Sequence, residues 1–102
     1  FGFIEYDQAA SEVREVYDDI MRTRRTDRVN NFWKALAHDP ALLRRTWEQV
    51  KNVMMPGALD AVTKEMIYVA VSATSQCGYC IASHTAAARK AGMTEAMFAE
   101  LM

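Results

Sequence analysis

The chain has 102 residues, of which 51% are hydrophobic and 25% charged, and its formal net charge is −1. This length predicts a single domain over 1–102, and a charge so close to zero gives no general attraction to nucleic acid. No apolar run approaches the ~18 residues that cross a bilayer and no N-terminal signal pattern is present, so we expect a cytoplasmic protein with no membrane partner.

Helical periodicity and helix-ending residues run along almost the whole sequence, which predicts an all-α fold of about six helices. The first helix is predicted from about Gln8 to Arg22, with Asp7 as its N-cap. A polar linker over 23–30 follows. A short helix is then expected from Phe32 to His38, with Asn31 as its cap. Helix pairs joined by such short connections are typical of a bundle.

The middle of the chain is divided by prolines. Pro40 follows Asp39 and is predicted to open a third helix, because proline is favoured at the first helical position. Pro56 and Gly57 are predicted to end that helix. Asp60 is then a candidate cap for a fourth helix that continues to about Thr74.

The last part of the chain is predicted to form two further helices. One is expected to start near Ser75 or Gln76 and to stop at Gly92, because glycine is favoured just after a helix. The other is expected over Glu95 to Met102, opened by Thr94. Because the chain starts without an initiator methionine and stops inside this amphipathic segment, we expect the native protein to be longer.

The two cysteines of the chain stand three residues apart in Cys77-Gly78-Tyr79-Cys80, and His84 follows four residues later. On a helix these spacings place two thiols and one imidazole on one face. The pattern fits redox chemistry, metal binding or plain packing. With Cys77 in the first turn, the helix dipole favours that residue as the reactive thiolate, whereas a neighbouring base, His84, favours Cys80.

Glu65 lies twelve residues before Cys77. It falls three residues after Val62 and four before Val69, so helical periodicity places this carboxylate on the buried stripe of the fourth helix. A buried carboxylate needs a partner. We therefore expect Glu65 to join the cysteine site, with a surface pair to Lys64 as the alternative.

The types and spacing of Glu65, Cys77, Cys80 and His84 resemble the motif of the alkylhydroperoxidase D-like members of the carboxymuconolactone decarboxylase superfamily. The family motif is a glutamate followed twelve residues later by Cys-x-x-Cys-x-x-x-His, and the similarity extends from Asn31 to Gly92. The resemblance implies an all-helical core over 31–102, with 1–30 as an N-terminal helical extension. It also implies homo-oligomers, often dimers, trimers or hexamers.

The resemblance further implies a peroxidase that reduces hydroperoxides through a Cys77–Cys80 disulfide and needs no cofactor or metal. Cys80 would attack the peroxide, Cys77 would resolve the product, and Glu65 and His84 would relay the proton. An external dithiol or lipoyl-type reductant would restore the pair. Where some members carry a second histidine before the second cysteine, this chain has Tyr79.

Two other functions are compatible with the same residues. A general disulfide oxidoreductase would use Cys77 and Cys80 without specificity for peroxides. A non-enzymatic zinc module would use both thiolates and His84 as three ligands, with Glu65 or water as the fourth. Ligands from a single helix converge less easily than ligands from a knuckle, so zinc is the weaker of the hypotheses.

Overall fold

The computed structural model describes residues 2–102, and the regular secondary structure in that range is helical. Six α-helices follow a single 3₁₀ turn, and no strand is found among the described residues, which confirms the predicted all-α fold. The helices are α1 (Ser11–Arg24), α2 (Asn31–Leu36), α3 (Pro40–Met54), α4 (Ala61–Thr74), α5 (Gly78–Ala91) and α6 (Glu95–Leu101).

The start of α1 differs from its prediction. Residues Tyr6–Gln8 form a separate 3₁₀ turn, so Asp7 lies in that turn and Ala10 occupies the N-cap position of α1. The guanidinium of Arg14 explains the break, because it donates to the backbone oxygens of Tyr6 at 2.9 Å and of Asp7 at 2.7 Å. These bonds hold the turn apart from the helix that follows.

The short helix α2 also begins and ends earlier than predicted. Asn31 is its first residue and not its cap, and Asn30 at the cap position makes no side-chain cap hydrogen bond. The helix ends at Leu36 because the backbone turns there. The Asp39 backbone N–H donates to the oxygen of Leu36, three residues back, at 2.9 Å. The Asp39 carboxylate in turn accepts from the backbone N–H of Leu42 at 3.2 Å, inside α3.

The residues predicted to start α3, α4 and α6 and to end α3 and α5 are confirmed in those roles. Helix α3 begins at Pro40 and stops before Pro56. The Asp60 carboxylate caps α4 by accepting from the backbone N–H of Thr63 at 2.9 Å, and the Thr94 hydroxyl caps α6 by accepting from Met97 at 3.1 Å. Gly92, with φ 119°, follows the end of α5 in the left-handed conformation that glycine adopts without strain.

The described residues divide into two compact units, one reaching to Val53 and one starting at Met54. The prediction of a single domain over 1–102 stays a prediction. The first unit has a core of buried aromatic and aliphatic side chains, among them Tyr17, Leu43 and Trp47. In residues 2–102 no helix combines the length and the apolar character required to cross a membrane.

In the second unit α4 and α5 pack against each other. The buried hydrophobic side chains are Val69 on α4, Ala88 on α5 and Met93 beyond it, with Val62 and Met66 partly buried around them. This helix pair carries all four residues that the sequence predicts to form a site.

Candidate active site

The link between α4 and α5 is a single tight turn. Gln76 has φ 58°, in the left-handed region, and its backbone N–H donates to the Ala73 oxygen at 3.2 Å. The N–H of Cys77 donates to the Ser72 oxygen at 3.1 Å. Together these bonds form a Schellman motif in which Gln76 takes the place usually held by glycine. The backbone of Cys77 is therefore attached to the end of α4.

Helix α5 begins at Gly78, later than the predicted start at Ser75 or Gln76, because the left-handed turn interrupts the helical path. Cys77 is consequently the N-cap residue and not part of the first turn. Its sulfur accepts a hydrogen bond from the backbone N–H of Cys80 at 3.2 Å. A cysteine here performs the capping role that serine or aspartate usually performs.

Cys77 and Cys80 are joined as a disulfide, with an S–S distance of 2.12 Å and a Cα–Cα distance of 5.2 Å. Cys80 lies in the first turn of α5, so both sulfurs are at the N-terminal end of this helix. The positive end of a helix stabilises a thiolate. The helix dipole therefore acts on both cysteines, and does not distinguish them as the sequence argument assumed.

Glu65 and His84 form a hydrogen-bonded pair between the two helices. The Glu65 Oε2 and His84 Nδ1 atoms are 2.9 Å apart, and the side chains retain 16% and 24% of their surface exposed, respectively. Because a carboxylate can only accept, Nδ1 carries the proton in this bond. In the neutral ring Nε2 then keeps its lone pair and is the nitrogen able to take up a proton.

Tyr68 was not identified from the sequence as part of the site. Its ring stacks on the His84 imidazole, with centroids 4.3 Å apart and an interplanar angle of 11°. Tyr68 is three residues after Glu65 on α4, so the i, i+3 spacing was the available signal. An aromatic residue on a helix is more commonly a packing residue, which is why spacing did not single it out.

The disulfide and the residues between its two cysteines are accessible to solvent. Tyr79, between the two cysteines, has 51% of its surface exposed, and both cysteines are partly exposed. Among the described residues no group of three or more histidine, cysteine or acidic side chains is arranged to hold a metal ion. The arrangement can support a dithiol–disulfide exchange, with one imidazole available to accept a proton.

The fold and the site together define a class: a small helical protein with a vicinal cysteine pair at the start of one helix and a Glu–His pair linking it to the preceding helix. Residues 40–102, which include all four site residues, match the family model described as "Carboxymuconolactone decarboxylase family". The chain belongs to this family, and the predicted resemblance is confirmed.

A solved structure is similar over most of this chain. It is the crystal structure of the core of alkylhydroperoxidase AhpD from Rhodospirillum rubrum, with 63% sequence identity and a TM-score of 0.84. The match covers 88% of this chain and 67% of that chain. The helical architecture described above is therefore shared with an alkylhydroperoxidase core.

Two curated proteins are similar over shorter parts of their length. "Uncharacterized protein 4 in cox locus" of Paracoccus denitrificans is 44% identical over 50 residues, which cover 49% of this chain and 45% of that protein. An alkyl hydroperoxide reductase of Mycobacterium tuberculosis is 29% identical over 88 residues, covering 86% of this chain and 25% of that protein. The chain thus spans less than half the length of either curated relative.

Proposed function

We propose that the chain is a thiol-dependent peroxidase that reduces hydroperoxides through Cys77 and Cys80, with His84 and Glu65 as the proton relay. One observation carries the proposal: a cysteine pair already within disulfide distance lies at a helix N-terminus, on the same helix as an imidazole whose Nδ1 is held by a carboxylate. The similarity to an alkylhydroperoxidase core over 88% of the chain supports it.

The reaction begins from the reduced pair. His84 Nε2 takes the proton of the Cys80 thiol, and Glu65 stabilises the resulting imidazolium. The thiolate attacks the terminal peroxide oxygen, the O–O bond breaks, and the alcohol leaves with the proton from His84. Cys80 is now a sulfenic acid. Helical spacing supports this direction, because His84 is four residues after Cys80 on α5.

Cys77 completes the oxidative half. Cys77 loses its thiol proton and its thiolate attacks the Cys80 sulfur. The S–S bond forms as the S–O bond breaks, and the hydroxyl leaves as water with the proton that Cys77 released. The capping position of Cys77 supports a thiolate there, since the sulfur already accepts the Cys80 backbone N–H. An external dithiol or lipoyl-type reductant then reduces the disulfide. The sum is one hydroperoxide and one dithiol converted to alcohol, water and a disulfide.

The test compares two single variants in a coupled assay with tert-butyl hydroperoxide and a dithiol. Cys80→Ser is expected to reduce turnover to the uncatalysed rate, because it removes the attacking sulfur. Cys77→Ser, pre-reduced and freed of the dithiol before peroxide is added, is expected to consume about one peroxide per chain and to accumulate a sulfenic acid that dimedone traps. Wild-type turnover in Cys80→Ser would contradict the proposal.

A second function has some structural support. Cys77 caps α5 and is partly exposed, which is the arrangement expected of a general disulfide oxidoreductase. Insulin reduction distinguishes the two functions. A peroxidase turns over hydroperoxide much faster than it reduces insulin, whereas insulin reduction as fast as peroxide turnover would favour the oxidoreductase.

The remaining parts of the proposal concern assembly and location. We extend it to a homo-oligomer in the cytoplasm. Ile67 and Val71, four residues apart on α4, support self-association, because they expose 49% and 59% of their surface on one side of the helix.

A further inference from the structure

We propose that Tyr68 is a positioning residue whose ring holds the His84 imidazole in the orientation that proton transfer requires. The inference deepens the proposed peroxidase function and rests on it. It starts from the nearly parallel stack of the two rings, with centroids 4.3 Å apart and planes 11° apart. Tyr68 would act on His84, not on the peroxide.

Helix α4 contacts the imidazole in two different ways. Glu65 holds one edge through Nδ1, and Tyr68, three residues later on α4, covers one face. A single hydrogen bond at the ring edge fixes where Nδ1 points, but the ring plane can still rotate about that bond. A flat ring packed against the face removes this rotation. The two contacts together determine the direction of Nε2.

The stack also suits both charge states of the proposed relay. An aromatic face attracts a cation, so the contact is retained when the imidazole has taken the Cys80 proton. The Glu65 carboxylate stabilises the same charged ring from its edge. The two residues of α4 therefore keep His84 in place through the whole proton transfer.

A packing role explains the place of Tyr68 less well than a positioning role does. The buried cluster of the second unit is formed by Val69, Ala88 and Met93, and the partly buried hydrophobic residues packed around it do not include Tyr68. The ring contact recorded for Tyr68 among the described residues is the one with His84. Its ring is thus placed against the relay and outside the apolar cluster.

The first experiment compares Tyr68→Leu with Tyr68→Phe in the full chain. The pre-reduced proteins are mixed with tert-butyl hydroperoxide, and the second-order rate constant for thiol loss is measured. Tyr68→Leu is expected to lower it by about tenfold or more, since small misplacements of a catalytic group are costly. Tyr68→Phe keeps the ring and should stay close to the parent. Parent-like rates for Tyr68→Leu would overturn the proposal.

Circular dichroism checks that each variant retains the fold. If Tyr68→Leu does not fold, Tyr68→Met replaces it, because methionine fills irregular space without a flat ring. A parent-like rate for Tyr68→Phe, set against loss in the folded variant that lacks the ring, identifies the ring face as the active feature. Equal loss in the phenylalanine variant would assign the effect to the hydroxyl and would also overturn the proposal.

The second experiment places Tyr68→Leu in a His84→Gln background. If Tyr68 acts through His84, the double variant should be no slower than His84→Gln by itself. A further loss in the double variant as large as in the parent would show that Tyr68 acts elsewhere, while the proposed function would stand. A parent-like rate for His84→Gln would instead remove the relay, and with it both proposals.

Discussion

The two units of the chain are stabilised in different ways. Among the described residues, the unit that ends at Val53 buries ten hydrophobic residues in one cluster, whereas the unit that starts at Met54 buries three. The first is held by large side chains such as Trp47, which packs edge-on to Trp33 with ring centroids 5.4 Å apart. The second has only a small apolar core.

The second unit instead relies on specific hydrogen bonds and one covalent bond. They include the Asp60 and Thr94 caps, the turn at Gln76, the disulfide and the Glu65–His84 pair. Two of these features belong to the candidate site itself. The comparison predicts that reduction of the Cys77–Cys80 disulfide lowers the stability of its own unit, whereas the first unit is stabilised by burial.

The largest effect is expected from Trp47→Ala. It removes a side chain that is 2% exposed, and it leaves Asp19 without the indole N–H that donates to it at 2.7 Å. We expect the free energy of unfolding to fall by about 3–5 kcal/mol, measured by urea unfolding. Val69→Ala is the matched change in the second unit and should cost less, because it removes fewer buried atoms. A larger loss of unfolding free energy for Val69→Ala than for Trp47→Ala would contradict this comparison of the two units.

A smaller effect is expected when the disulfide is reduced. The Cys77–Cys80 bond closes a loop with a sequence separation of 3, for which the chain-entropy model gives roughly 2 kcal/mol. Urea unfolding with and without a phosphine reductant measures the loss. The double variant Cys77→Ser/Cys80→Ser is the control and should not respond to the reductant. A reduced form more stable than the oxidised form would contradict the interpretation.

The smallest effect concerns Asp19 in the first unit. Hydrogen bonds from Trp47, at 2.7 Å, and from Lys51, at 2.9 Å, lower the pKa of this carboxyl from 3.8 to about 2. Because its pKa is lower in the folded state, the ionised group stabilises the fold above pH 3.8. That contribution is lost as the pH falls through about 2.

Asp19→Asn should therefore lower the free energy of unfolding at pH 7 by about 1 kcal/mol, after allowance for solvent screening. The difference from the parent should shrink steadily between pH 5 and pH 2, as followed by urea unfolding. Glu12→Gln, an exposed position on the same helix, is the control and should change little. A difference that grows on acidification would refute the assignment.

Much of the fold could be predicted because its signals are local. Asp60, Gly92 and Thr94 mark helix ends through bonds that reach four residues or fewer, and Pro40 does so through its own fixed φ, so the sequence contains the whole interaction. One error arose where a side chain from further along the chain intervened. Asp7 was predicted to cap α1, but the Arg14 guanidinium binds the backbone there and a separate turn forms.

The candidate site shows the same division. The spacing of Cys77, Cys80 and His84 and the periodicity around Glu65 predicted that these four residues lie close together, because both follow from helical geometry. The structure joins the two cysteines and pairs Glu65 with His84, while their catalytic roles stay a prediction. The capping role of Cys77 was missed, since it depends on the left-handed conformation of Gln76, a residue that seldom adopts it.

The sequence by itself determined that this protein is helical, where most of its helices end, and that Cys80 and His84 share one face of α5. Only the tertiary structure decided that Glu65 contacts His84 through Nδ1, across 19 residues of sequence, and that Tyr68 covers the imidazole face. The physical reason is that periodicity sets the side of a helix on which a residue lies. The packing of α4 against α5 sets the rotation and distance that decide which atoms touch.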